Sequence, residues 1–198
     1  MERFHQIPKL PKRALDAHKG DVGRVLVVGG SLGEHGMIGA PALVANAALR
    51  SGTGLVQIAT EASAMGYVAT LAPCATTRAM AAGVDDIAAF AVEFGADVVA
   101  LGPGLGKTVS GQEVAALLDR FSGGIVVDAD GLNALAALGK WRARWPHNVV
   151  ITPHPGEMER LVKGWGLDVP VKERERCAVA LARETGVTVV LKGHGTVV

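Results

Sequence analysis

The segment Arg24-Val25-Leu26-Val27-Val28-Gly29-Gly30-Ser31 is a valine-rich apolar run that ends in two glycines and a serine. Such a run predicts a buried strand over Arg24–Val28, followed by a tight loop. Helical periodicity follows at Gly39–Arg50. A buried strand, a glycine-rich loop and a helix in this order form the first part of a βαβ unit, so the segment predicts a parallel sheet.

The same alternation continues along the chain. Further strands are predicted at Leu55–Ala59, Val98–Leu101, Ile125–Val127, Val149–Ile151 and Val187–Leu191. Further helices are predicted at Asp85–Phe94, Val109–Phe121, Asn133–Leu138, Glu157–Lys163 and Glu173–Thr185. We therefore expect an α/β fold with a mostly parallel sheet and helices on both faces.

Length, charge and cysteine content exclude several classes of protein. The 198 residues fit one domain, and the net charge of +1 includes no long block of one sign, so neither nucleic acid nor a membrane is an expected partner. Cys74 and Cys177 are too few for a disulfide framework. No apolar run is long enough to span a bilayer, and no secretory signal is read. We expect a soluble, cytoplasmic protein.

Loops rich in glycine or polar side chains follow the predicted strands. They are Gly29–Ser31, Gly102–Gly106, Asp128–Gly131, Thr152–Glu157 and Lys192–Thr196. The carboxyl ends of parallel strands meet at one edge of a sheet, and open α/β sheets bind their ligands there. The sequence therefore predicts a ligand site at this edge.

The first two glycine loops each allow two interpretations. Gly29–Ser31 does not fit the G-x-G-x-x-G pattern, and no acidic residue closes the second strand at Ile58-Ala59-Thr60, which counts against an NAD(H)-dependent oxidoreductase. The glycines fit either a plain strand end or a turn that continues through Gly36–Ala40 and faces an anion or a ribose. In Gly102–Gly106, Pro103 predicts a rigid turn, either a simple connection or a wall for a planar ligand.

Carboxylates and a histidine follow the next two strands. Asp128 and Asp130 would repel each other if both were buried without a cation or a donor. Asp128 is a candidate for contact with a hydrated Mg²⁺, and Asp130 for a helix cap. Two prolines are expected to hold His154 in an extended conformation. Glu157 fits either a favourable charge at a helix start or a water-mediated contact to Mg²⁺ on a nucleotide.

The last loop, Lys192-Gly193-His194-Gly195-Thr196, combines a cation, small residues and a hydroxyl. This combination suits an adenylate phosphate or ribose lying over a β-turn. A hairpin turn without a ligand is the alternative.

Together, these segments resemble one enzyme family. His18–Gly23, Val25–Ser31 and Ala47–Val56 are similar to the opening of the NAD(P)H-hydrate dehydratases, and Gly102–Gly106, Asp128–Asn133, Thr152–Glu157 and Leu191–Thr196 follow in that family's order. The resemblance covers nearly the whole chain. It implies a ribokinase-like fold, a three-layer α/β/α sandwich. It also implies ADP- or ATP-dependent dehydration of (6S)-hydrated NADH and NADPH, by phosphorylation of the hydroxyl and elimination of phosphate.

The same resemblance assigns binding roles. It implies that Ala40, Gly104 or Gly106, and His154 contact the hydrated nicotinamide, and that the adenylate lies on Lys192, Gly193, His194, Gly195 and Thr196. Mg²⁺ is the expected metal, with Glu157 and Asp128 as its candidate contacts. The family also implies a homo-oligomer and an NAD(P)H-hydrate epimerase as a partner or a fused domain.

One motif of the family does not occur in residues 1–198. It is Gly-Thr-Gly-Asp or Gly-Ser-Gly-Asp, whose aspartate is the family's base and whose N–H groups receive the transferred phosphate. We therefore expect a single domain over residues 1–198 that stops before the catalytic segment, with no catalytic residue of its own, weak ligand binding at most and negligible turnover. The alternatives are a ribokinase-like kinase of a small hydroxymethyl heterocycle, which shares the Thr-Pro-x-x-x-Glu element, and a non-catalytic binding module.

Overall fold

Seven parallel strands form the central sheet within the residues that the computed structural model describes, namely 12–33, 37–81, 86–107, 109–140, 145 and 148–198. The strands are β1 (Arg24–Val28), β2 (Leu55–Glu61), β3 (Thr76–Met80), β4 (Val98–Leu101), β5 (Gly124–Val127), β6 (Val149–Ile151) and β7 (Thr188–Val189). The helices in the same residues are α1 (Gly39–Arg50), α2 (Met65–Leu71), α3 (Ile87–Phe94), α4 (Gly111–Arg120), α5 (Ala129–Leu138), α6 (Pro155–Gly164) and α7 (Arg174–Thr185). None of these helices is long and apolar enough to cross a membrane.

The strand order is β3-β2-β1-β4-β5-β6-β7. The chain runs outward from β1 to β3 and then returns to the other side of β1 with β4. This reversal creates a topological switch point between β1 and β4. A crevice is expected outside the carboxyl ends of the strands at that point, and it is the preferred ligand position in open α/β sheets.

Helices cover the sheet on both sides, which confirms the predicted three-layer α/β/α sandwich. Leu26 and Val28 of β1 pack in the larger apolar core with residues of α3 to α7, whereas Val27 packs in a smaller core with residues of α1 and α2. The alternation follows from the two-residue period of a strand. On the side of α1 and α2, four apolar side chains of β4 to β6 are only half-buried: Val98, Ala100, Val126 and Val150.

Two elements, β3 and α2, were not predicted. β3 (Thr76–Met80) is an edge strand that contains two threonines and an arginine, so it lacks the apolar run of a central strand. It pairs with β2 beyond the predicted end of that strand, with Thr60 opposite Ala79 and Glu61 opposite Met80. β2 therefore ends at Glu61, and the statement that no acidic residue closes the second strand is wrong.

Glu61 is engaged by protein donors. The Ser63 hydroxyl donates to its carboxylate, and the Leu32 N–H donates to it at 3.1 Å. These two hydrogen bonds hold the pKa of Glu61 below its usual range. The carboxylate therefore anchors the loop that follows β1.

Among the predicted boundaries that differ from the structure, those of α5 and β7 shift most within the site. α5 begins at Ala129, directly after β5, instead of at Asn133. β7 comprises only Thr188–Val189 instead of Val187–Leu191. After β7 the chain turns back on itself, and Leu191 pairs with Val197 in an isolated antiparallel bridge.

The two cysteines lie in different environments, which predicts different reactivities. Cys177 is buried, and burial raises the pKa of its thiol, whereas Cys74 is exposed. Because the thiolate is the reactive form, Cys74 is expected to react with an aromatic disulfide reagent much faster than Cys177 in the folded protein. Thiol titration with and without denaturant measures this, with Cys74→Ser as the control. Equal rates in the folded protein would contradict it.

Candidate functional site

Five loops lie at the carboxyl edge of the sheet, as predicted. We name them by the strand that each follows: the β1 loop (Gly29–Ser31), the β4 loop (Gly102–Gly106), the β5 loop (Asp128–Gly131), the β6 loop (Thr152–Glu157) and the β7 loop (Lys192–Thr196). Hydrogen bonds or ion pairs connect them into a continuous surface.

The β1 and β4 loops meet at the switch point. The Gly30 N–H donates to the Pro103 carbonyl at 3.1 Å, and the Ser31 hydroxyl donates to the Gly104 carbonyl at 3.2 Å. A Cβ atom on Gly29 would lie 2.3 Å from the Pro103 carbonyl oxygen, so only glycine permits this approach. The predicted turn is present at Pro103 and Gly104, where it would form the floor of the crevice expected at the switch point.

The predicted nicotinamide contacts on this floor are not equivalent. Gly104 is buried with φ +66°, and Gly106 is exposed with φ +61°. The Met37 carbonyl packs against Gly104 just before α1, in which Ala40 is the second residue and is half-buried. No side chain caps the start of α1 among the described residues, and Gly36 of the predicted turn lies outside them.

The β5 loop directs its two carboxylates to different partners. Asp130 accepts from the Gly106 N–H at 2.8 Å, and Asp128 pairs with the Lys192 ammonium at 2.5 Å. Between them Ala129 has φ +49°, a conformation that non-glycine residues seldom adopt. Asp130 lies inside the first turn of α5, and the cap position belongs to Asp128. Asp128 and Asp130 would repel each other, but the Lys192 ammonium compensates the charge of Asp128 and the Gly106 N–H donates to Asp130.

His154 has the extended backbone predicted from its flanking prolines, with φ −80° and ψ 170°. Its Nδ1 accepts from the Gly156 N–H at 3.0 Å, and its Nε2 lies 3.2 Å from a Glu157 oxygen. A neutral imidazole with its hydrogen on Nε2 satisfies both contacts. About half of the side chain, 49%, is exposed at the site.

Glu157 is the most deeply buried charged group of the site, with 5% of its side chain exposed. Its carboxylate accepts from the His154 N–H at 2.7 Å and lies 3.9 Å from the Lys192 ammonium. Asp128 and Glu157 therefore converge on one cation. No group of three or more His, Cys, Asp or Glu side chains is placed to hold a metal in the described part of the chain. The pair suits a hydrated Mg²⁺, which keeps its waters, better than a directly coordinated ion.

The β7 loop is closed as a hairpin by backbone hydrogen bonds between Leu191 and Val197. Gly193 and Gly195 have φ +145° and +68°. Among the described residues, the four consecutive N–H groups from Gly193 to Thr196 donate to no protein acceptor. Successive unpaired N–H groups in a turn can form a concave site for an anion, and we call residues 193–196 the anion nest. The hairpin is thus confirmed as geometry, and its exposed, unpaired donors are accessible to a ligand.

Sequence reasoning missed Arg174, the first residue of α7. Its guanidinium donates to the carbonyls of the β7 loop and its flank, Leu191, Lys192 and His194. The one local signal was a cation at a helix start, where the helix dipole disfavours positive charge.

The sequence profile of a family described as NAD(P)H-hydrate dehydratase matches residues 25–198. The chain belongs to the NAD(P)H-hydrate dehydratase family. The ADP-dependent (S)-NAD(P)H-hydrate dehydratase of Staphylococcus aureus is 35% identical over 202 residues, which cover 99% of this chain and 67% of that enzyme. The Bifunctional NAD(P)H-hydrate repair enzyme Nnr of Escherichia coli strain K12 is 38% identical over 96% of this chain.

Solved structures confirm the ribokinase-like fold. An ADP/ATP-dependent NAD(P)H-hydrate dehydratase of Bacillus subtilis, co-crystallised with ATP/Mg²⁺, has a TM-score of 0.67 and 30% identity, and covers 94% of this chain and 64% of its own. A ribokinase-like superfamily protein of Enterococcus faecalis has a TM-score of 0.70 at 25% identity, with 93% and 62% covered. This dehydratase-family chain spans 34% of the E. coli enzyme's length.

Proposed function

We propose that this member of the dehydratase family acts in the nucleotide-dependent dehydration of (6S)-hydrated NADH and NADPH back to NADH and NADPH. Family membership supports the reaction. The structural observation that carries the proposal is the anion nest of the β7 loop, which lies beside Lys192 on the same sheet edge as the predicted nicotinamide contacts.

The two ligands would lie along the sheet edge. The adenylate of ADP or ATP would lie on the β7 loop at Lys192–Thr196, with its own phosphate at the anion nest, and the hydrated nicotinamide would lie on Gly104 or Gly106, between Ala40 and His154. β4 and β7 are three strand positions apart, a distance of about 14 Å. With its adenylate phosphate at the nest, the nucleotide would direct its terminal phosphate along the sheet edge toward the substrate hydroxyl.

The chemistry requires both ligands at once. The substrate hydroxyl would give its proton to the aspartate of the family's catalytic segment, and its oxygen would bond to the terminal phosphorus as the P–O bond to the nucleotide breaks, with that electron pair leaving on the nucleotide oxygen. The phosphate then leaves with the C–O electron pair, a proton leaves the neighbouring ring carbon, and the double bond forms. Asp128 and Glu157 would hold a hydrated Mg²⁺, which when bound supplies charge neutralisation at the phosphates. The half-exposed His154 ring would orient the nicotinamide. No residue of 1–198 is assigned as the base.

The remaining features of the proposal concern assembly and location. We infer a cytoplasmic homo-oligomer that works with an NAD(P)H-hydrate epimerase, as a separate protein or a fused domain. The name of the bifunctional E. coli repair enzyme supports a fused arrangement.

Gly195 allows a matched test of the nucleotide site. Gly195 and Gly166 have φ +68° and +65°, and a Cβ on either would meet nothing within 4 Å. Both alanine variants therefore carry a similar backbone cost, but only Gly195→Ala disturbs the anion nest. We expect Gly195→Ala to weaken ADP or ATP binding about tenfold, the scale of one or two lost charge-assisted hydrogen bonds, and Gly166→Ala to leave it unchanged. Isothermal titration calorimetry with Mg²⁺ present measures both.

Three outcomes would count against the proposed function. Equal losses in both variants would place the nucleotide elsewhere. Failure to bind either nucleotide or NADPH hydrate, in a chain carrying the catalytic segment, would favour a non-catalytic module. Phosphorylated hydrate that accumulates without elimination, in a chain carrying the catalytic segment, would favour a kinase.

A further inference from the structure

Arg174 holds the β7 loop from the side of α7. Its Nη1 donates to the His194 carbonyl at 2.7 Å, and its Nη2 donates to the Leu191 and Lys192 carbonyls at 3.2 Å each. A Cβ on Gly193 would lie 2.8 Å from the same Nη2, so glycine at this position allows the guanidinium to approach. One side chain thus binds three carbonyls within four consecutive residues.

The position of Arg174 is not explained by helix stability or by an ion pair. A cation at the first residue of a helix opposes the helix dipole. Among the described residues, no carboxylate forms an ion pair with Arg174, whereas Arg176 pairs with Glu173 at 2.7 Å. The guanidinium charge therefore lies behind the loop without a neutralising partner, where it favours an anion on the loop's other side.

Peptide geometry connects Arg174 to the nest. In a trans peptide the carbonyl and the following N–H point in opposite directions. The Leu191–Lys192 peptide follows this rule, because its carbonyl faces Arg174 while its N–H donates to the Pro153 carbonyl at 2.8 Å. With the Lys192 and His194 carbonyls held by Arg174, the N–H groups of Gly193 and Gly195 are turned away from the guanidinium.

We propose that Arg174 is a positioning residue for phosphate binding: it fixes the carbonyls of the β7 loop so that the Gly193 and Gly195 N–H groups converge on an anion. The identity of that anion as an adenine-nucleotide phosphate rests on the proposed function. The geometric role is independent of it, because it concerns the loop in the free protein.

The test compares Arg174→Met and Arg174→Lys with Arg176→Met, a control two residues along the same helix. We expect Arg174→Met to weaken ADP binding at least about tenfold, since it removes three hydrogen bonds that order the nest. Arg174→Lys keeps the charge but lacks the planar fork, so its loss should approach that of Arg174→Met. Arg176→Met should stay within about twofold of the unmodified chain. Affinity for NADPH hydrate should be unchanged in all three.

A second readout follows the loop itself. In ¹⁵N-resolved spectra of the free protein, the Gly193 and Gly195 amide signals should shift and exchange faster in both Arg174 variants but not in Arg176→Met. Thermal unfolding confirms that each variant is folded, with Arg174→Lys as the milder change.

The outcomes separate the two proposals. Unchanged loop amides in a folded Arg174→Met variant would overturn the positioning role. ADP binding by Arg174→Lys equal to that of the unmodified chain would also overturn it, because charge alone would then suffice. Absence of ADP binding even in a chain that carries the catalytic segment, together with perturbed loop amides in the variants, would sink the nucleotide proposal and leave the geometric role supported.

Discussion

Joining the C-terminal segment of a full-length dehydratase, such as that of S. aureus, after Val198 is expected to raise the turnover of NADPH hydrate at least about a thousandfold over residues 1–198 alone. Those residues contain no Gly-Thr-Gly-Asp or Gly-Ser-Gly-Asp motif. A positioned base contributes about 10²–10⁴-fold to a reaction rate, and backbone donors aimed at the transferred phosphate add to this. The measurement is the reappearance of dihydronicotinamide absorbance with ADP or ATP present.

The joined segment is also expected to raise the free energy of unfolding. Val98, Ala100, Val126 and Val150 are half-buried on the side of α1 and α2, so added chain that packs there would remove apolar surface from water. A variant with asparagine in place of the motif's aspartate is the control, since it should regain the stability but not the turnover. High turnover by residues 1–198 alone, or full turnover by the asparagine variant, would refute the assignment of the base.

The sequence predicted those parts of the fold that are determined by neighbouring residues in the chain. β1, β4, β5 and β6 are interior strands of a parallel sheet with helices on both faces, so each is a short apolar run that periodicity detects. Once the sheet is parallel, the polar loops after these strands must lie at one edge. The extended backbone of His154 follows from Pro153 and Pro155, which act only on their neighbours.

The features that sequence reasoning missed depend on partners distant in the chain. β3 is an edge strand that is stabilised by pairing with β2, and three of its five residues are polar. The hydrogen bonds from Arg174 to the β7 loop span 17 to 20 positions, and the Asp128–Lys192 ion pair spans 64. No local pattern encodes such contacts, because they arise only when α7 and β7 pack beside the earlier strands.

Gly104→Ala is expected to destabilise the protein much more than Gly106→Ala, although both glycines belong to the β4 loop. Both have left-handed backbone, φ +66° and +61°, so an alanine at either position costs about 1–2 kcal/mol in conformation alone. Their surroundings differ. A Cβ on Gly104 would lie 2.2 Å from the Met37 carbonyl oxygen, whereas a Cβ on Gly106 would lie 3.0 Å from the Ser31 hydroxyl.

A carbonyl cannot rotate away as a hydroxyl can, so Gly104→Ala must displace either the β4 loop or the chain that leads into α1. Such overpacking adds about 1–3 kcal/mol, which brings the expected loss for Gly104→Ala to about 2–5 kcal/mol and leaves Gly106→Ala near 1–2 kcal/mol. Urea unfolding of both variants measures the difference. Because the displaced elements carry Ala40 and the floor of the crevice, Gly104→Ala should also weaken NADPH-hydrate binding more than ADP binding. Equal stability of the two variants would mean that the Met37 carbonyl yields at little cost and that the floor is not rigid.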